Sequence, residues 1–376
     1  MRSFILFILF IFSLRQNFVS GQKSLDSLKI NEIQIIASHN SYRKATHKPI
    51  FRRVRFFKVF IPKEYDPKAW DYAHLPLVEQ FDHYNVRGIE LDVYYDPEGG
   101  RYYKRKGNWL VFQSAKSRNP ALLKPGFKII HIPEVDYNTH YATFVEALTA
   151  LKSWSDLHPE HIPIYVNVEI KNAALGNYIP WKALPKAVPF SEKAADALDA
   201  EIKSVFGESL NQVITPDEIR GAYATLNEAV TKKGFPTLSQ AKGKIFFIAD
   251  GGEREYAQGH PSLSGRVMFT YAPPRSPECA FIIANDPKSG QDSIRQWVKD
   301  GYMVRTRCDS DTQEARTGDF SSREAAFSSG AQILSTDYYK PDERYKKSKK
   351  WTNYSVQFPD NQVFIQNTKF RIQPKN

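Results

Sequence analysis

Three short stretches carry residue types that can do chemistry together: Ser38-His39-Asn40, Glu90-Leu91-Asp92, and Glu169 at the end of the apolar run that starts at Ile162. They supply an imidazole, an amide oxygen and three carboxylates. Hard oxygen donors of this kind hold a divalent cation, and an imidazole beside them moves protons, a combination suited to phosphate esters. Glu90 and Asp92 are two residues apart, so on a strand both side chains leave the same face. Asn167, Glu169 and Lys171 share a face by the same count, as do Arg305, Arg307 and Asp309. His131 closes a further apolar run, Phe127-Lys-Ile-Ile-His131.

Elements must bring these groups together. Short β-branched runs alternate with helical ones, which predicts a parallel sheet flanked by helices. The strand runs are 32–38, 88–94, 127–132, 162–170, 244–250, either 266–271 or 280–285, 302–308 and 332–337, so counting one of the two middle segments gives eight. Helices are predicted at 143–157, 191–206, 216–229, 294–299 and 322–328, several with Ser or Thr placed to cap them. The fold class is α/β, a (β/α)8 TIM-type barrel with loop insertions. In such a barrel the carboxyl ends of the strands converge on one mouth, where active sites are built. Taken singly, a carboxylate pair is often a salt-bridged rim, a lone histidine is more often structural, and Arg305 and Arg307 can serve only to neutralise acids. Polar groups at the same end of five strands are another matter, because so charged a mouth is costly without a ligand.

The chain begins with an address. Arg2, the apolar run 4–14 and the small residues Val19-Ser20-Gly21 match a secretory signal cut near Gly21–Gln22. The run is shorter than the ~20 residues a membrane span needs. A secreted mature protein is expected, with residues 1–21 as signal, 22–340 as one barrel and 341–376 as a C-terminal extension. Lys and Arg exceed Asp and Glu by 11, or by 9 without Arg2 and Arg15, which favours anionic partners. Only Cys279 and Cys308 are present. Export permits a disulfide, yet on neighbouring parallel strands the two would lie at opposite ends, about 20 Å apart, so the pairing stays open. Asn353-Tyr-Ser355 is the one glycosylation sequon, meaningful only on a eukaryotic secretory route.

Beyond the single motifs, an ordered set covers residues 30–340. Ser38-His-Asn-Ser-Tyr42, Trp70-Asp-Tyr-Ala-His-Leu-Pro-Leu77, Arg87-Gly-Ile-Glu-Leu-Asp92, Phe127-Lys-Ile-Ile-His131, Val168-Glu-Ile-Lys171, Arg305-Thr-Arg-Cys-Asp309 and Ser329-Gly-Ala-Gln-Ile-Leu-Ser-Thr-Asp-Tyr-Tyr339 resemble the secreted calcium-dependent phosphoinositide-specific phospholipase C-like proteins. Cys308 departs from the alanine expected there, and Ser322-Arg323-Glu324 from a double arginine; neither touches the metal set. The resemblance implies Ca2+ held by Asn40, Glu90, Asp92 and Glu169, with His39 and His131 flanking the phosphate. Glu90 or His39 would take the proton of the inositol 2-hydroxyl as it attacks phosphorus, and His131 would protonate the departing diacylglycerol oxygen. Lys171, Arg305, Arg307 and Tyr338 or Tyr339 are candidates for headgroup contacts. The expected partner is an anionic phospholipid, not nucleic acid; the sequence leaves the oligomeric state open, with a monomer the favoured reading.

Two rivals stand beside this reading. A glycerophosphodiester phosphodiesterase shares barrel, Ca2+ and paired histidines, but His-Arg-Gly is expected where this chain has His39-Asn40-Ser41. A catalytically inactive barrel used as a binding module would have no need of the charged mouth. The segment Ile50-Phe-Arg-Arg-Val-Arg-Phe-Phe-Lys-Val-Phe60 mixes four aromatics with four cations. It is expected either to touch the headgroup layer of a membrane or to be a helix burying Phe51, Phe56, Phe57 and Phe60 against the barrel.

Overall fold

Apolar runs become parallel strands when helices can cover both faces of the sheet. In the computed structural model, which describes residues 25–57, 66–178, 182 and 184–367, the strands are β1 (Ile33–Ser38), β2 (Gly88–Tyr94), β3 (Lys128–Ile129), β4 (Ile164–Ile170), β5 (Ile245–Asp250), β6 (Phe269–Thr270), β7 (Phe281–Ile283), β8 (Met303–Arg307), β9 (Ile333–Thr336) and β10 (Phe364–Gln366). Eight run in the order β6-β5-β4-β2-β1-β9-β8-β7, and one parallel bridge from Tyr271 to Phe281 nearly closes the ring. The α/β barrel is as expected. The signal segment 1–21 lies outside the described residues, and no described helix is long and apolar enough to cross a membrane.

The barrel reaches eight by a different route from the one expected. Segment 127–132 is not the third barrel strand: β3 has two residues and runs antiparallel to β2, Ile129 opposite Val93. Val93 also pairs with Ile170 of β4, so β3 occupies the other edge of β2. Both middle candidates are barrel strands, and their brevity, two and three residues, made one look surplus. The helix expected at 216–229 is two, Pro216–Arg220 and Leu226–Lys232, parted at Gly221 (φ 54°), with Thr225 capping the second. The described part of the C-terminal segment, 341–367, meets the barrel at two places. β10 pairs antiparallel with β1, Ile35 opposite Phe364, and the Trp351 ring lies between the guanidiniums of Arg344 (3.8 Å) and Arg316 (4.0 Å), both bonded to Asp71. Cys279 and Cys308 are buried free thiols.

β1 and β2 meet at one pair only, Ala37 opposite Gly88. Below it β10 takes the edge of β1, and above it β3 takes the edge of β2. The crossing is tight: a Cβ on Gly88 would stand 2.5 Å from the Ala37 Cβ and 3.2 Å from the Ile35 Cδ1. Gly88→Ala therefore overpacks the seam and should cost about 1–3 kcal/mol in chemical denaturation. Because Glu90 is two residues on, activity should fall with it.

The helices that steady this side are α1 (Lys48–Phe56), α2 (Leu77–Tyr84), α3 (Phe144–Leu157), α4 (Leu175–Tyr178) and α5 (Glu192–Phe206). Thr143 and Glu146 form a reciprocal capping box at the start of α3, whose Phe144, Ala147, Leu148 and Leu151 are buried at helical spacing. In α1, Ile50 is buried, whereas Phe56 is 76% and Phe57 44% exposed. The buried-helix expectation fails for these two, and Phe60 lies outside the described residues. Glu201 of α5 accepts the Phe127 amide at 2.8 Å, and burial pushes its carboxyl up to about 7 against that bond and Lys128. The fold thus prefers the neutral acid. Stability should decline as pH rises from the ordinary carboxyl range to about 7 and level off above it; Glu201→Gln should flatten that interval in melting temperature measured against pH.

Candidate active site

Sheet register builds the acidic cluster. Asp92 of β2 stands opposite Glu169 of β4, which stands opposite Asp250 of β5, while Glu90 stands opposite Asn167 one layer deeper. One row at the strand ends thus carries three carboxylates. Ligand oxygens of Glu90, Asp92 and Glu169 come within 4.8 Å of one another. Asn40 turns in from the end of β1 with φ 49°, a left-handed conformation that Asn tolerates better than most residues. Its Nδ2 donates to the Tyr72 hydroxyl at 3.1 Å, leaving Oδ1 buried without a donor.

The two histidines are held in matching ways. His39 Nδ1 is 2.7 Å from Asp337 Oδ1, and Arg307 holds the other Asp337 oxygen at 3.1 Å. His131 Nδ1 is 2.7 Å from Asp136 Oδ2, which Arg43 also engages at 2.5 Å. In each case the carboxylate fixes the proton on Nδ1 and aims Nε2 at the mouth. His39 Nε2 is 3.3 Å from Glu90 Oε1. Burial pushes Asp136 up, but Arg43 and the His131 bond outweigh it and hold the carboxyl down to about 2. For Asp337, His39 and Arg307 likewise overcome burial and hold it low. Burial lowers His131 against the pull of Asp136. β3 explains how His131 arrives: the excursion after β2 returns along the free edge of that strand, so His131 comes back over the mouth instead of ending a strand of its own.

The expected headgroup residues are placed differently. Lys171 pairs closely with Glu169 and lies 2.9 Å from Asp92, inside the acidic cluster. Arg305 is 3% exposed and is bonded to Glu90, to Asn285 at 3.0 Å and to Ser335 at 3.1 Å. Arg307 supports Asp337. Tyr338 borders the open cavity but is 3% exposed, its ring set against Tyr72 and Tyr354, so it presents no free face for stacking. Tyr339 is buried too and donates from its ring hydroxyl to none of the mouth groups; its hydroxyl accepts the Leu75 amide. Sequence reasoning missed Asp136, Asp337, Asp250 and Arg43. Asp337 and Asp250 end strands, the same signal that marked Asp92; Asp136 sits in irregular chain and gave none.

The residues present fit Ca2+. Asp92 is fully buried, its Oδ2 met by the Lys171 ammonium and its Oδ1 by no donor, and Asn40 Oδ1 is likewise buried without a donor, so hard oxygens are left to satisfy. Burial, with Glu169 and Glu90 adding, pushes Asp92 well above the carboxylate range; Lys171 holds Glu169 below it despite burial. Asp250 is pushed up to about 6 by burial, with Glu90 and Glu169 adding and Arg305 and Asn167 opposing. A cavity of about 640 Å³ opens beside Asp337 and Tyr72, bordered also by Trp70, Arg52, Arg55 and Lys340.

Among solved structures, a calcium-dependent phosphoinositol-specific phospholipase C of Pseudomonas sp. superposes with a TM-score of 0.51 at 14% identity, covering 91% of this chain and 96% of that one. A Ca2+-dependent phosphatidylinositol-specific phospholipase C of Streptomyces antibioticus gives 0.49 at 16% identity, with 83% and 95% covered. At 14% identity the first of these likenesses speaks for the barrel alone. No curated protein matches the sequence. The family model "Phosphoinositide phospholipase C, Ca2+-dependent" matches residues 28–368, nearly the whole described chain, and the protein belongs to that family of calcium-dependent phosphoric diester hydrolases.

Proposed function

We propose that the protein cleaves phosphatidylinositol-type lipids to diacylglycerol and a cyclic inositol phosphate, with His39 as base and His131 as acid. The observation that carries this reading is the pair of carboxylate-oriented histidines beside one acidic cluster. His39 Nε2 takes the proton of the inositol 2-hydroxyl as its oxygen bonds to phosphorus. The imidazolium so formed donates to Asp337 from Nδ1 and to Glu90 from Nε2, so both carboxylates stabilise it. The bond from phosphorus to the glycerol oxygen breaks, and His131 gives that oxygen its proton; the nearby phosphate anion counteracts the lowering that burial imposes on this histidine. Water opens the cyclic ester with the two roles exchanged.

Asn40, Glu90, Asp92 and Glu169 would hold Ca2+, which when bound supplies charge neutralisation for the phosphate and acidifies the attacking hydroxyl. Arg305 fixes Glu90, whose Oε2 it engages, so His39 is the better base of the two. The cavity beside Asp337, the partner of His39, is of headgroup size and its Arg52, Arg55 and Lys340 suit an anionic lipid. The signal-like pattern of residues 1–21 supports export. The test is hydrolysis of phosphatidylinositol against glycerophosphocholine by the purified protein, with and without chelator. Release of cyclic inositol phosphate that chelation stops supports the reading. Preference for glycerophosphocholine, or no hydrolysis of either, sinks it.

A further inference from the structure

We propose that α1, the 3₁₀ turn Lys106–Val111 and α4 together form the surface by which this protein docks on an anionic lipid bilayer, on the His131 side of the site. The proposal rests on the lipid substrate proposed above and adds where and how the membrane is met. The three segments follow β1, β2 and β4, so all stand at the mouth end of the barrel. They share one small core. Ile50 and Val54 of α1, Val111 of the turn and Leu175 of α4 pack with Tyr94, Ile130, Ile132 and Val135, the residues that flank His131. Their outward sides are apolar: Phe56 (76% exposed), Phe57 (44%), Trp109 (49%), Leu110 (51%), Phe112 (93%) and Tyr178 (68%).

Single exposed hydrophobics mean little, but grouped ones mark interaction sites. Here six of the twelve exposed large apolar side chains among the described residues fall on these three segments. Phe112 adds a second sign. It caps the turn at φ 57°, a left-handed conformation usual for Gly or Asn, while its ring is almost wholly in water. Cap hydrogen bonds to the Asn108 and Trp109 carbonyls offset the backbone cost, but the exposed ring is offset by nothing in the described fold; insertion among lipid chains would do so.

Charge selects the occupant. Residues 44–57 and 101–118 contain eleven Lys and Arg and no Asp or Glu, so they account for the whole formal surplus of +11 and the rest of the sequence balances to zero. A second copy of so basic a face would be repelled, whereas an anionic bilayer gains roughly fivefold in partitioning for each cation near it. Aromatic and aliphatic side chains among such cations match an interfacial anchor. The position fits the chemistry as well: His131 protonates the glycerol oxygen, so the lipid chains leave on this side.

The experiment measures cosedimentation with phosphatidylcholine vesicles containing phosphatidylserine and no inositol lipid. These report docking whether or not the protein hydrolyses anything. Wild type should bind them and release with salt, and Leu110→Ser/Phe112→Ser should partition roughly tenfold less or worse, with melting temperature and turnover of a water-soluble inositol phosphodiester unchanged. Binding equal to wild type in this variant overturns the proposal, as does a wild type that ignores the vesicles or prefers an oligonucleotide to them. Exposed as they are, Leu110 and Phe112 can be changed without touching the core, and Phe56→Ser alone should give a smaller loss of the same sign. Vesicle binding without hydrolysis of phosphatidylinositol would sink the proposed function and leave the docking surface standing.

Discussion

Alanine at His39 or at His131 should lower turnover of phosphatidylinositol by roughly 10²–10⁴-fold, the usual scale for losing a general acid or base, with the fold intact. Each ring is partly exposed and held through Nδ1 by a carboxylate that keeps its arginine after the change. The two losses part company on a substrate with a good leaving group, which departs without a proton. His131→Ala should then recover much of its rate and His39→Ala should not. Equal deficits on both substrates would reverse or abolish the assigned roles. The supporting pairs extend the test: Asp136→Asn should follow His131→Ala across the two substrates, and Asp337→Asn should follow His39→Ala, each with a smaller loss.

Removing Ca2+ should abolish hydrolysis and loosen the fold, and adding it back should restore both. The two effects have one source. Glu90, Asp92 and Glu169 repel one another, and Lys171 is the cation placed to offset Asp92 and Glu169 together. At about a hundred times its dissociation constant, a ligand that binds only the folded state contributes about 2.7 kcal/mol, a rise in Tm of about 3.5 °C for a chain of this size. Lys171→Met strips the ammonium from the cluster, so the protein without Ca2+ should melt earlier and the Ca2+-induced shift should grow. Differential scanning calorimetry reads this without any turnover. No shift with Ca2+ in either protein, or full activity in chelator, would discard the ligand set.

The acidic cluster was legible because a strand has period two: Glu90-Leu91-Asp92 must send both carboxylates one way, and the register of β2 with β4 then sets Asp92 beside Glu169. Strand direction was not legible. Phe127–His131 reads as a strand in any orientation, and only the pairing of Ile129 with Val93 reveals that it runs backwards. Nor did sequence show where the basic residues spend their charge. Arg305 and Arg307 alternate as mouth residues should, yet one lies under Glu90 and the other behind Asp337, because a buried carboxylate is a nearer demand than a ligand still in solution. Asp136 follows His131 by five residues in irregular chain, where no periodicity links the two.

The seam between β1 and β2 also sets an order of events. β10, the last of the described strands in chain order, supplies the lower edge of β1 and begins at Phe364. While the polypeptide is still being made, β1 can find β2 and later β9, but its lower edge stays unpaired until Phe364–Gln366 emerge. An unpaired edge invites pairing with other chains. Nascent chains should therefore stay prone to aggregate until β10 has been made, and a truncation before Phe364 should make that vulnerability permanent.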